Sequence, residues 1–569
     1  MSDERSPLRV VLCWHMHQPD YRGPAGGGVQ LPWVYLHALK DYSDMASHLE
    51  AQREARAVVN FAPILLEQLA DYAEQIRAWV ERGRQIRDPL LAALAGPGLP
   101  LDTPQRSTLV QACLRANPKH LIDRFPAFKE LAELARWVQT HEHTAAYLND
   151  QFLSDLLVWY HLAWMGEDVR QNDLRVQSLQ KKKRGYTPED RRQLVILIGD
   201  LVAQVVPRYR RLAEQGRVEL SVTPYAHPIL PLLLDLDSAR EAMPDIELPE
   251  LAEYPGGEAR ARWHVREGLA AFERHFGFRP RGCWPSEGAL SEDTLRILNE
   301  EGFLWTASGQ AVLHNSLSAA LRDEEEPLER GWLYRGYRVN EGRTLCFFRD
   351  DGLSDLIGFT YADWHADDAV ANLVEHLEAI DESTQGLTDR VVSIIMDGEN
   401  AWEYFPHNGS FFLSELYRRL AQHNRLHLTT YAELLAQRTQ PPPELDRLVT
   451  GSWVYGSLST WIGDPDKNRA WDMLGEAKAV YDRVLAERRL SDERRRAAEM
   501  QLATCEGSDW FWWFGDYNPG ETVSDFERLF RHQLTHLYRL LGETPPKYLF
   551  SVFAVGSGRP ELGGVMRKN

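Results

Sequence analysis

The chain has 569 residues, 44% of them hydrophobic and 26% charged, the composition of a folded protein at a length that suits a large barrel plus a second unit. Its 64 basic residues against 83 acidic ones leave a formal charge of -19, which repels a phosphate backbone and argues against a nucleic-acid partner. Five cysteines, scattered and without a CxxC pair, argue against a disulfide framework or a cysteine zinc site and fit a reducing compartment.

In chain order, the polar start and the short apolar stretch that ends at His15 are too brief for a signal segment or a membrane span, so a cytoplasmic setting with no membrane partner is expected. Apolar, β-rich runs recur at 10–14, 58–61, 218–222, 282–284, 304–307, 345–348 and 391–396, with helical patterns between them and a weaker eighth run at 427–430. That alternation predicts an α/β protein of parallel βα units, seven or eight of them closing into a barrel whose chemistry sits where strands run into their following loops. The glycine run 26–28 comes too late after the first strand for a dinucleotide fingerprint and reads as a loop over the barrel mouth.

Residues at about 64–210 read as a helical insertion, within which Thr187, Pro188, Glu189 and Asp190 form a helix start with a capping hydroxyl and acids facing the positive end of the dipole. The basic run 181–184 is a solvated face. After the prolines at 441–443 the strand signals fade, so the expected division is a barrel over 1–436 and a C-terminal α-helical domain over 445–569 that completes the cleft.

Polar side chains at strand ends point into the barrel mouth. The first strand runs into His15-Met16-His17, and residues two apart share a face, so His15 and His17 project together. Such a pair hydrogen-bonds a polyhydroxy ligand, binds metal, or is satisfied within the core. Pro285 stops a strand and Gly288 permits a sharp turn, which displays Glu287 on the connecting loop. The run 391–396 is apolar enough for a strand buried on both faces and breaks abruptly at Asp397. Surface or capping carboxylates are the competing explanations. Three strands apart in a seven- or eight-strand ring, Glu287 and Asp397 stand nearly opposite, as two carboxylates must to flank a glycosidic bond. Sugar rings also lie on indole faces. Trp284 and Trp402 neighbour the carboxylates, and Trp453, Trp461 and Trp510 fall in polar, glycine-containing segments; Trp471, Trp512 and Trp513 are expected in the core.

These segments together resemble glycoside hydrolase family 57, most closely its α-amylase and amylopullulanase branch. Five ordered stretches carry the match: HMHQP at 15–19, GRVELSVTPYAHPILP at 216–231, GCWPSEGALS at 282–291, IIMDGENAWEY at 394–404 and GSWVYGSLSTWIGDPDKNRAW at 451–471. The resemblance implies a (β/α)7 barrel with a following helical domain, no metal or other cofactor, and retention of anomeric configuration through a glycosyl-enzyme. It implies Glu287 as nucleophile and Asp397 as general acid/base, with His17, His227 and His15 at the donor sugar and Trp461 and Asp464 from the fifth stretch. Ala289, Phe405 and Asp464 depart from residues frequent in the branch, which leaves fine specificity open.

The implied substrates are α-1,4-linked, and as a further option α-1,6-linked, glucans such as maltooligosaccharides, starch or glycogen. A 4-α-glucanotransferase or branching-type enzyme on the same substrates is the alternative. Two rivals stand further off: a metal-dependent mannosidase or deacetylase, suggested by His15-x-His17 followed by Asp20, and a non-catalytic carbohydrate-binding protein.

Overall fold

The computed structural model describes residues 6–23, 27–100, 102–141, 144, 147–320 and 331–558; Gly26 of the glycine run lies outside them. Among these residues ten strands form: β1 (Leu8–Met16), β2 (Ala57–Phe61), β3 (Val218–Val222), β4 (Gly282–Cys283), β5 (Trp305–Ser308), β6 (Tyr337–Val339), β7 (Leu345–Phe348), β8 (Val391–Asp397), β9 (Leu426–Leu428) and β10 (Glu444–Leu445).

Seven of them, in the order β8-β1-β2-β3-β4-β5-β7, are parallel neighbours. The curled sheet closes at a narrow seam. Arg349, just past β7, bridges in parallel to Ser393 of β8, and the Asp350 N–H donates to the Ser393 carbonyl at 2.8 Å. Lower down the seam is filled from outside: Val391 N–H donates to the Tyr334 carbonyl at 3.0 Å, and β6 runs antiparallel to the start of β7. The seven apolar runs of the sequence are these seven barrel strands. The weak eighth run forms β9, which pairs with residues 8–10 of β1. Since β8 occupies one edge of β1 over 9–15, β9 takes the other edge, below β2, and stays out of the ring.

Alternation in the strands sorts the side chains. Val11 and Cys13 of β1, Val58, Ala307, Phe347, Val391 and Ile395 fill the inside, while Val10, Leu12 and Trp14 pack outward on the helices. The closed end is plugged by the short helix Tyr431–Gln437, whose Tyr431 ring lies 4.3 Å from Trp305 and 4.5 Å from Phe347. Glu219 faces this plug, accepting from the Trp305 indole at 2.7 Å and from Ala432 N–H at 2.8 Å.

Helices fill the interval between β2 and β3, ending with Pro188–Glu214, which Thr187 and Asp190 start with a reciprocal capping box. Helices dominate again after β10: Pro465–Ala486, Asp492–Cys505, Ser508–Trp513 and Gly520–Leu541. Among the described residues no helix is long and apolar enough to cross a membrane.

Candidate active site

Strand register assembles the mouth. His15 is level with Asn60 of β2 on one side and with Asp397 of β8 on the other. The turn after β3 delivers His227 with φ 60°, and the turn after β4 delivers Glu287 with φ 57° followed by Gly288 with φ 60°. A non-glycine residue in the left-handed region costs about 1–2 kcal/mol, so each is held by its surroundings. For Glu287 the clamps are two turn hydrogen bonds, Gly288 N–H to Pro285 O and Ala289 N–H to Ser286 O, and a bond from Trp453 N–H to Glu287 O at 3.1 Å. Gly288 itself leaves no room for a side chain, because a β-carbon there would stand 2.8 Å from the Trp284 ring.

The carboxylates differ in setting. Glu287 is buried, with Oε2 accepting from the Trp453 indole N–H at 2.9 Å. Asp397 keeps part of its surface in the cleft, and its Oδ2 accepts from Asn400 at 2.6 Å. Burial raises both groups above the ordinary carboxylate range; Asp397 reaches about 6, and the charge of Asp397 adds to the rise at Glu287.

Beside them three imidazoles form a stack, His17 on His227 at 3.8 Å and His15 on His227 at 5.2 Å between ring centres. The hydrogen-bond network assigns their protons. Asn60 gives its amide N–H to Ser221, so its oxygen, which already accepts from Thr223, also accepts from His15 Nδ1 at 2.7 Å. His15 Nε2 then accepts from His227 Nε2 at 3.2 Å, and His227 Nδ1 accepts from the Ser508 hydroxyl at 2.8 Å. Burial keeps both rings neutral, His15 held down to about 3 and His227 well below the usual histidine range. His17 meets Asp509 at 2.9 Å.

Atoms of His17, His227 and Asp509 lie within 4.8 Å of one another, a spacing that could hold a metal ion. The rings of His17 and His227 are nearly parallel, at 15°, so their in-plane lone pairs run side by side and do not converge as a tetrahedral ion needs. Both nitrogens of His227 are already engaged. The donor set suits hydroxyl groups better.

A cleft of about 970 Å³ opens against Asp397, Arg349, Asn400 and Trp453. Its walls are Asn117 to His120 from the insertion, Phe359 and Asp363 after β7, Tyr455, Ser459 and Thr460, and Trp512, Tyr517 and Asn518. Trp453 forms part of the wall and stands edge-on to the wholly buried Trp284, at 5.3 Å; Trp284 supports the site from beneath.

Three other tryptophans expected to bind sugar are, like Trp284, enclosed by their packing. Trp402 is 1% exposed and lies edge-on to Trp14 at 5.8 Å, beside Phe405. Trp461 is wholly buried beneath Trp512. Trp510 sits between Phe526 and Phe530 and donates to the Thr504 carbonyl. All three rings belong to the apolar core. Asp464 caps the helix Pro465–Ala486, accepting from Asp466 N–H at 2.8 Å. Trp512, expected in the core, lines the cleft. Asn60, Arg349, Ser508 and Asp509 were not singled out from sequence. Single polar residues inside an apolar run or at a helix start carry no local signal.

Residues 11–445 match the family model for glycosyl hydrolase family 57, and the chain belongs to that family. A comparison with curated proteins finds no match. Among solved structures, the chain is similar to a family 57 branching enzyme from Thermococcus kodakaraensis, at 16% identity and TM-score 0.57, covering 94% of this chain and 90% of that one. An α-amylase from Thermotoga maritima superposes with TM-score 0.52 at 13% identity, covering 94% and 97%. A 4-α-glucanotransferase from Thermococcus litoralis gives 0.52 at 14% identity, covering 94% of this chain and 60% of that one. At such identities these likenesses establish the shared fold, here the (β/α)7 barrel. Membership of the family establishes an enzyme of the glycosidase and glucan-transferase class.

Proposed function

We propose that the chain is a retaining glycoside hydrolase of α-1,4-linked glucans, such as maltooligosaccharides, starch or glycogen, with α-1,6 bonds as a second linkage. The observation that carries this reading is the coupled pair Glu287 and Asp397 at the barrel mouth, with only Asp397 in the wall of the open cleft. In this reading Glu287 attacks the anomeric carbon as Asp397 protonates the departing oxygen; Asp397 then takes a proton from water, which attacks the same carbon and frees Glu287. The donor sugar sits against His15, His17 and His227, and the departing chain leaves through the cleft beside Asp397. The helical region from residue 445 onward acts as the other half of that cleft.

The cleft also supports a second reading, transfer to a sugar acceptor, as in a 4-α-glucanotransferase or a branching enzyme. Phe359, Tyr455, Trp512 and Tyr517 line it, and aromatic faces of this kind hold a second glucan in the place of water. The two readings share every step except the identity of the acceptor. Purified protein incubated with maltoheptaose, soluble starch or pullulan, with chelator present, separates them. Shorter products with rising reducing ends are expected for hydrolysis; products longer than the input at constant reducing ends would mean transfer. No change in any of the three would end the glucan assignment.

A further inference from the structure

We propose that Lys467 is a positioning residue for the glucan cleft: its ammonium ties the segment carrying Thr460 to the segment carrying Trp512 and Tyr517, and so sets the shape of the wall on which the sugar chain lies. The inference rests on the glucan reading above and adds to it a residue that touches no sugar.

Lys467 is wholly buried in the first turn of the helix Pro465–Ala486. That is a poor place for a cation, since burial strips its water and the helix N-terminus is itself positive. Burial accordingly pulls its pKa down to about 7, against the opposing pull of Asp464 and Asp466. An uncharged side chain would serve the helix better, so the ammonium is explained by what it holds. It donates to the Thr460 carbonyl, to Phe511 O at 2.8 Å and to Trp512 O at 3.4 Å, one acceptor for each of its three N–H groups. It also lies 5.3 Å from the centre of the Tyr517 ring. Thr460, Trp512 and Tyr517 all line the cleft that contains Asp397. Two stretches more than forty residues apart in sequence thus meet at one nitrogen, directly behind the wall they form.

The charged and titratable groups around this ammonium are Asp464 and Asp466 from its own helix and cap, and Tyr517 with the neighbouring Asp516 from the facing loop. The Thr460 segment contributes only its carbonyl.

Maltoheptaose binding, followed by tryptophan fluorescence in a Glu287→Gln background that halts turnover, tests the idea. Adding Lys467→Met, which keeps the length of the side chain and removes its charge, is expected to raise Kd about tenfold. In the otherwise unsubstituted enzyme, Lys467→Met is expected to leave unchanged the release of fluoride from α-glucosyl fluoride, a donor too small to need this wall. An unchanged Kd, or an equal loss of fluoride release, overturns the proposal. A second measurement needs no change at Lys467. The Kd of the Glu287→Gln protein should rise as pH passes upward through about 7, where the ammonium loses its proton, and a flat Kd across that range also overturns it. A Glu287→Gln protein that binds no maltoheptaose at any pH sinks the glucan reading and this inference with it.

Discussion

The indole N–H of Trp453 points at Oε2 of Glu287 from 2.9 Å, and the backbones of the same two residues are joined by a second bond at 3.1 Å. The backbone bond fixes the loop; the side-chain bond acts on the charge. Since indole only donates, it stabilises the carboxylate form and opposes the rise that burial imposes on Glu287. Replacing Trp453 by Phe keeps a ring against Trp284 and removes the donor. We expect kcat/KM on maltoheptaose to fall roughly 10- to 100-fold, the effect of a bond to a charged group worth about 1.5–3 kcal/mol. The acidic limb of its pH profile should move upward. An unmoved limb would dissociate the indole from the charge on Glu287.

Exchanging the carboxylates one at a time separates their roles. Glu287→Gln should abolish turnover of every donor. Asp397→Asn should slow starch cleavage by roughly 10²–10⁴-fold, the usual worth of a general acid, while releasing fluoride from α-glucosyl fluoride much faster, because that leaving group needs no proton. Equal losses on both substrates in Asp397→Asn would contradict the acid assignment.

Asp397 also links activity to stability. Its pKa, raised by burial to about 6, means that the folded state holds this proton more tightly than the unfolded chain. The site's contribution to stability is therefore greatest below about pH 4, declines as pH rises toward 6 and stays low above it. Asp397→Asn escapes that decline. In urea unfolding near pH 7.5 it should be more stable than the wild type by about 1–2 kcal/mol, two pKa units discounted for the part of the carboxylate that meets solvent. The gain should vanish near pH 4; a gain independent of pH would exclude this mechanism.

Chelation tests the stacked histidines. If His17, His227 and Asp509 serve hydroxyl groups, prolonged treatment with a strong chelator leaves starch turnover unchanged. Loss of activity restored by one divalent metal would instead make these three side chains its ligands.

Glu506 is enclosed yet ionised. Burial pushes its carboxyl up, but Arg260 and His264, with contacts of 2.7 Å each, outweigh it and hold the pKa down to about 2. Its stabilising effect is present above the unfolded value of about 4.3 and is lost as pH falls toward 2. Glu506→Gln leaves Arg260 buried without its counter-charge and should cost about 3–5 kcal/mol near pH 7, read as a lowered urea midpoint. A midpoint within error of the wild type would mean that the network is already relaxed.

The barrel strands are legible because they are buried on both faces and read as unbroken apolar runs. The seam is not: it rests on one bridge at Arg349, after its strand has ended, and on β6, three residues long. Glu287 and Asp397 stand out because Pro285, Gly288 and the abrupt end of β8 are local signals. Ser508 and Asp509 meet their histidines across 281 and 492 residues, and nothing near them in sequence announces it. Trp402, Trp461 and Trp510 are enclosed, and their neighbours in sequence do not reveal which way these rings turn.

The far separation of Ser508 and Asp509 from His227 and His17 also bears on synthesis. A ribosome delivers the barrel strands first and these two partners some hundred and ten residues after β8. Until they arrive, two imidazoles of the mouth lack the groups that orient them, so a chain that ends before residue 508 holds both carboxylates and still lacks the finished arrangement of the mouth.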